Sequence, residues 1–174
     1  NTPTSVNREH SLFEASRCIA VTPSDTAPAL VVLEAEMVIQ RGGVERVVPA
    51  EDFFVGPATD IRHMTVLQNG DVLKEIRVPK KWAGSKQYFE KVADRQTWDF
   101  ALVNIAMAAK LEGGKVADVR MACGAVQCTP RRLKNVEDLM KGERPGGEME
   151  TLAGRVAAQG ARPLPLLPTR RSQR

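Results

Sequence analysis

Hydrophobic and polar positions change rhythm several times along the chain, and each change marks an element. The first twenty residues are polar and irregular, broken only by the apolar pair Leu12-Phe13. Pro23-Ser24-Asp25-Thr26 is a stop-and-start signal. Ser24 or Asp25 suits the cap of a helix that holds Pro28 in its first turn and continues through Leu33. Met37 to Ile39 reads as a strand, Arg41-Gly-Gly-Val44 as a hairpin turn, and Arg46 to Val48 as the returning strand. Pro49 to Pro57 is a turn or short helix with two bulky anchors, Phe53 and Phe54. Asp71 to Val78 alternates and stops at Pro79, as a strand does.

Pro79-Lys-Lys-Trp-Ala-Gly-Ser85 reads as a linker. Beyond it, Tyr88 to Arg95 is a candidate strand. Ala101, Val103, Ile105, Met107, Ala109 and Leu111 then form one apolar face, with Asn104, Lys110 and Glu112 on the other. Gly113-Gly114 is a two-residue hairpin turn, and Val116 to Val126 returns. After Pro130 the period becomes helical. Leu133, Val136, Leu139 and Met140 fit one short helix, and Met149, Leu152, Ala153, Val156 and Ala157 fit a second that Gly160 ends. The pattern as a whole is α+β, with an antiparallel sheet followed by two helices in the second half. No internal repeat is present.

Composition narrows the class. Of 174 residues, 43% are hydrophobic and 26% charged, which is globular. The longest clean apolar run, Ala27 to Leu33, is far short of the ~20 residues a membrane helix needs. The net charge of +4 belongs to the end of the chain, where Arg162, Arg170, Arg171 and Arg174 meet no acid. The body is neutral, which argues against a nucleic-acid surface. Cys18, Cys123 and Cys128 are too few and oddly spaced for a disulfide framework or a zinc knuckle. Buried thiols in a reducing compartment are the plain account of Cys123 and Cys128.

There is no Walker loop, no GxGxxG, no GxSxG and no HExxH, and two histidines leave little for a nucleophile relay. Three positions stand out. Asp25 opens a helix, which an N-cap role would explain. Lys91 shares a strand face with Phe89 and Ala93, which suits contact with an electron-rich ligand or simple snorkelling of its stem. Cys18 suits a buried thiol. The aromatic clusters Phe53-Phe54 and Trp98-Asp99-Phe100 read as core packing.

The order of segments carries a resemblance. Asn7 to His10, Cys18 to Asp25, Ala27 to Leu33, Val48 to Phe54, Gly70 to Pro79, Tyr88 to Arg95 and Asp99 to Val103 follow one another at a family's spacing. Together they resemble the FAD-binding subunit of the molybdenum hydroxylases. That group includes xanthine dehydrogenase, carbon monoxide dehydrogenase, 4-hydroxybenzoyl-CoA reductase and bacterial aldehyde oxidoreductases. The likeness covers roughly residues 5–165. It implies that residues 1–79 are the end of an FAD-binding α+β domain. Residues 86–162 would be a domain with a three-stranded antiparallel sheet and C-terminal helices, and residues 163–174 a disordered basic Pro/Arg tail.

The resemblance also implies a site. Asp25 falls on the acid of the family's Ser-Asp turn beside the flavin, Leu73 on a strand that backs the ring, and Lys91 on a lysine that contacts the cofactor. In one branch of the family, Cys18 falls on the last of four cysteines of a 4Fe-4S loop; alone it holds no cluster. The glycine-rich segments that grip the FAD pyrophosphate are not among these residues, and the end departs from the family's final helix. The expectation is therefore a piece of an electron-transfer flavoprotein subunit, inactive and a poor FAD binder in isolation. It would work between 2Fe-2S clusters of a small subunit and an acceptor, beside a molybdopterin-binding large subunit, in the cytoplasm or the periplasm. The rival expectation is an assembly module that binds no flavin by itself.

Overall fold

The computed structural model describes residues 20–161. Cys18 and residues 163–174 lie outside that range. Helix α1 (Ala27–Val32) is followed by strands β1 (Glu36–Arg41) and β2 (Val44–Pro49), the single turn α2 (Ala50–Phe53) and strand β3 (Val72–Arg77). A 3-10 turn (Lys80–Trp82) leads to β4 (Lys86–Val92), β5 (Val103–Glu112), β6 (Lys115–Gly124) and the two-residue β7 (Arg131–Arg132). Helices α3 (Lys134–Met140) and α4 (Gly147–Ala158) close the described chain. None of its helices is long and apolar enough to cross a membrane.

Two antiparallel sheets result, one ordered β2-β1-β3 and one ordered β4-β5-β6-β7. The three long strands of the second were expected; the fourth is a short addition that pairs Ala122 with Arg132 and Cys123 with Arg131. Both hairpins turn on glycine pairs with positive φ. Gly42 and Gly43 stand at 53° and 86°, and Gly113 and Gly114 at 58° and 77°. Two consecutive residues in the left-handed region give the mirror-image turn whose twist matches that of the flanking strands.

Sequence patterning succeeds on β1, whose Met37, Val38 and Ile39 are buried in the centre of the first sheet. On β5 it succeeds for one face only. Val103 and Ile105 pack beneath α3 and α4 as expected. The other face is not polar surface: Ala106 and Ala108 are buried against α1, and Asn104 is 2% exposed. Alanine is the reason the strand reads as one-sided, because its small side chain lets α1 approach the sheet while adding little to a hydropathy count.

The segment read as a linker carries Trp82, which is 1% exposed and belongs to the same core cluster as Val31, Met37, Ile39 and Ala106. Its indole N–H donates to Glu34 Oε2 at 2.8 Å, so the polar edge of the ring is satisfied as burial requires. Conversely, Trp98 and Phe100 are not core; they are 94% and 70% exposed. The turn that carries them closes on itself. The Asp99 carboxylate accepts the backbone N–H groups of Arg95 at 2.9 Å and Phe100 at 3.0 Å, and Trp98 adopts φ +55°. Phe53 and Phe54 do pack as expected, edge to face with centroids 5.3 Å apart.

A charged network stitches the sheets together. Arg120 on β6 reaches Val31 O at 2.9 Å, Glu34 Oε1 at 3.3 Å and Glu51 Oε2 at 3.2 Å. Arg132 bridges Glu51 at 3.2 Å and pairs with the buried Glu137, whose Oε1 also accepts the Met121 N–H at 2.9 Å. Burial pulls the Glu34 and Glu51 carboxyls upward. Hydrogen bonds from Lys81 and Trp82 to Glu34, and from Arg132 to Glu51, with the neighbouring cations, outweigh it and hold both below their ordinary value.

Candidate functional site

The polar cluster around Asp25 is assembled from distant parts of the chain. The segment before α1 is tied down by Thr22, whose hydroxyl donates to Cys128 O at 2.7 Å. The N-cap of α1 is Thr26, without a side-chain capping bond, rather than Ser24 or Asp25; Ser24 accepts the Ala27 N–H at 3.2 Å. Asp25 is engaged elsewhere. Its Oδ2 accepts from Lys91 Nζ at 2.7 Å and its Oδ1 from Asn104 Nδ2 at 3.1 Å.

Lys91 and Asn104 face each other across β4 and β5, and Asn104 faces Gly124 across β5 and β6. The three residues therefore form one row across the sheet. Lys91 Nζ donates a second bond, to Asp99 O at 2.6 Å, from the turn that displays Trp98 and Phe100. Hydrogen bonding from the Arg95 N–H comes first among the causes that hold the Asp99 carboxyl below its ordinary value; desolvation opposes it, and the Arg95 charge and the Phe100 N–H add to it. The Asp25 and Lys91 side chains remain 44% and 28% exposed. An ammonium has three N–H groups, and these two bonds leave Lys91 one to give; the carboxylate keeps lone pairs facing solvent.

Asn104 and Gly124 were not singled out from the sequence. Asn104 Oδ1 is buried with no hydrogen-bond partner, and a Cβ on Gly124 would overlap it. The signal was there in part: an asparagine inside an alanine-rich strand is a buried polar group in need of partners. Leu73 is placed elsewhere. It lies half-buried on β3 opposite Ile39, in the first sheet, at the edge of the core that α1 shares. The structure thus unites Asp25 with Lys91 and leaves Leu73 in the other sheet.

The cluster contains no nucleophile with a base beside it. Among the described residues no group of three or more His, Cys, Asp or Glu stands ready to hold a metal. Cys123 and Cys128 are buried. A site of this kind binds and orients; any redox chemistry there belongs to a bound cofactor.

Comparison with known proteins agrees on a family. Residues 15–81 match the family model described as the FAD binding domain in molybdopterin dehydrogenase, and residues 87–171 the CO dehydrogenase flavoprotein C-terminal domain. The glyceraldehyde dehydrogenase medium chain of Sulfolobus acidocaldarius is 32% identical over 78% of this chain and 46% of its own length. The carbon monoxide dehydrogenase medium chain of Hydrogenophaga pseudoflava is 32% identical over 70% of this chain and 40% of its own. In three dimensions, a solved carbon monoxide dehydrogenase chain from Hydrogenophaga pseudoflava superposes with a TM-score of 0.71 and 28% identity, over 91% of this chain and 50% of that one. Quinoline 2-oxidoreductase from Pseudomonas putida shares the fold, at 24% identity and a TM-score of 0.69. The chain spans about half the length of the curated relatives it matches. With both family models in sequence along it, the chain belongs to the FAD-binding medium subunits of the molybdenum hydroxylase family.

Proposed function

We propose that this chain builds one wall of a flavin site in an electron-transfer subunit, with Asp25 and Lys91 as its polar contacts and Leu73 as apolar backing from the neighbouring sheet. In this reading residues 1–79 and 86–162 are the two functional parts. The observation that carries it is the Asp25–Lys91–Asn104 cluster, built from segments in both family-matched stretches. The cluster suits the group. A flavin offers N–H and hydroxyl donors for a half-exposed carboxylate, and carbonyl or ring-nitrogen acceptors for the spare Lys91 N–H.

Bound there, FAD would supply the one- and two-electron chemistry that links iron–sulfur clusters to an acceptor. The chain's own residues orient it. Asn104 fixes the Asp25 carboxylate from beneath, and the Asp99 carbonyl fixes the Lys91 ammonium from the side. Partners would be a molybdopterin-binding large subunit and a 2Fe-2S small subunit.

The test is to produce the chain together with those partners and measure flavin per complex by absorbance. Lys91→Met and Asp25→Asn should each weaken flavin retention about tenfold, equivalent to ~1.4 kcal/mol. Full retention in both variants overturns the reading. A complex that assembles without flavin would favour the alternative of an assembly module, a role that the exposed Tyr88, Phe89, Trp98 and Phe100 would also suit.

A further inference from the structure

Strand β4 ends the second sheet, and among the described residues no strand pairs with its outer edge. Six of its seven residues are exposed; only Lys91 is half-buried. Tyr88, Phe89 and Val92 are 53%, 46% and 48% exposed. The strand meets β5 along its whole length, from Lys86 opposite Ala109 to Val92 opposite Val103, without a register shift. It contains no proline. A regular, bulge-free and partly apolar edge presents a row of unpaired backbone groups, which is a template for another strand.

The side chains along this edge carry a charge pattern. Residues opposite each other in an antiparallel pair share a face. Lys86, Tyr88 and Glu90 therefore share the face of Ala109, Met107 and Ile105. Their charges are unspent. Among the described residues Lys86 forms no ion pair, and Glu90 accepts only the Tyr88 hydroxyl, which leaves one carboxylate oxygen open. Outward from Tyr88, the face is positive two residues one way and negative two residues the other.

We propose that two copies of this chain join β4 to β4, antiparallel, about a two-fold axis through Tyr88. Tyr88 then stands opposite its own copy, and Lys86 of each chain opposite Glu90 of the other. A strand rising ~3.3 Å per residue sets the two charges ~13 Å apart, so both pairs form at once. Charge decides the register. Centring the axis on Phe89 sets Lys86 against Val92 and Glu90 against Tyr88. Centring it on Gln87 sets Lys86 against Tyr88 and Glu90 against Gly84. Centring it on Glu90 brings like charges together, which destabilises a sheet. With Tyr88 at the centre both charges are matched. Lys91 then falls opposite Ser85, and its ammonium keeps its bonds to Asp25 and Asp99. One short strand buries less area than a permanent dimer does, so the association is weak and depends on concentration. It is independent of the flavin reading.

The test is sedimentation velocity on the full chain over about a hundredfold range of concentration, with the variants Glu90→Lys and Lys86→Glu/Glu90→Lys. Neither position belongs to the proposed flavin contacts. The unaltered chain should show a monomer–dimer equilibrium. Glu90→Lys sets lysine against lysine in both pairs and should weaken the dimer about tenfold. Exchanging both charges restores the match and should return the dimer to within about twofold of the unaltered chain. Unchanged far-UV circular dichroism would show that the variants are folded. Register is read separately, because Tyr88 is the sole tyrosine of the sequence. Photo-oxidation with a ruthenium tris-bipyridyl sensitiser and persulfate removes one hydrogen atom from each of two phenols, joins the rings by a carbon–carbon bond and reduces the persulfate to sulfate. A dityrosine-linked dimer should form in the unaltered chain and about tenfold less in Glu90→Lys. A monomer at every concentration overturns the proposal. So does a dimer that Glu90→Lys leaves intact, which would place the contact on another surface, such as Trp98 and Phe100. A doubly exchanged variant as weak as the single one overturns it too, since Lys86 and Glu90 would then not meet.

Discussion

Lys91 on β4 donates to the Asp25 carboxylate at 2.7 Å, joining the turn before α1 to the second sheet across 66 positions of sequence. The pair is held rather than merely adjacent. Asn104 supports the carboxylate and the Asp99 carbonyl supports the ammonium, so both charges have a fixed orientation while part of each stays open to solvent.

That partial exposure separates two roles. Partly exposed ion pairs contribute about 0.2–1 kcal/mol to folding. Lys91→Met should therefore move the urea midpoint of the isolated chain only slightly, while flavin retention in the assembled complex falls about tenfold. A large loss of stability in the chain alone would mean that the pair is mainly a structural staple. The two measurements together decide between ligand contact and scaffold.

Gly124 should resist substitution because of Asn104. An added methyl would overlap Asn104 Oδ1 and come into contact with Pro28, whose Cδ would lie 3.4 Å away. Overpacking of this kind costs about 1–3 kcal/mol. Gly124→Ala should lower stability by that amount, and adding Asn104→Ala should return part of it by vacating the space. Denaturant unfolding of the two single variants and the double variant measures the coupling. Strict additivity would show that the two residues do not compete.

The two tryptophans should behave as opposites. Trp82 is 1% exposed with its indole N–H on Glu34, and Trp98 is 94% exposed. Acrylamide should quench a red-shifted component of the emission and leave a blue-shifted one. Trp98→Phe should remove the first and preserve the second. Loss of the protected component in that variant would contradict the placement of Trp82 in the core.

A short apolar run made β1 legible, glycine pairs made both hairpins so, and a helical period of apolar residues did the same for α3 and α4. It failed where small or isolated residues carry the packing. The buried alanine face of β5 adds little to any hydropathy count, and a lone Trp82 after two lysines gives no periodic sign of burial until a core is available to receive it. Trp98 and Phe100 failed in the other direction. Their bulk suggests burial, while the closed turn around Asp99 holds them outward. Asp25 and Lys91 were picked out one at a time; only the fold shows that they touch, and that Asn104, opposite Lys91 on β5, binds the same carboxylate. Leu73 was grouped with them by resemblance, yet it belongs to the other sheet.

Cys123 gives a pH prediction with a definite sign. Burial pushes its thiol up to about 11, against a smaller opposing pull from the Arg131 charge. In the unfolded chain the same thiol ionises near the ordinary value of about 8.5. Between the two values the unfolded chain gives up a proton that the folded chain keeps, so rising pH favours unfolding. The contribution is fully present below the unfolded value and is lost as pH climbs through that window, the loss reaching about 2–3 kcal/mol at its upper end. Replacing Cys123 with alanine removes this dependence and leaves that of every other group in place. The stability difference between the unaltered chain and Cys123→Ala, read from urea unfolding, should therefore shrink steadily from about pH 8 upward. A difference that stays constant with pH would mean that the thiol ionises as readily in the fold as outside it, and that the packing around β6 and β7 admits water.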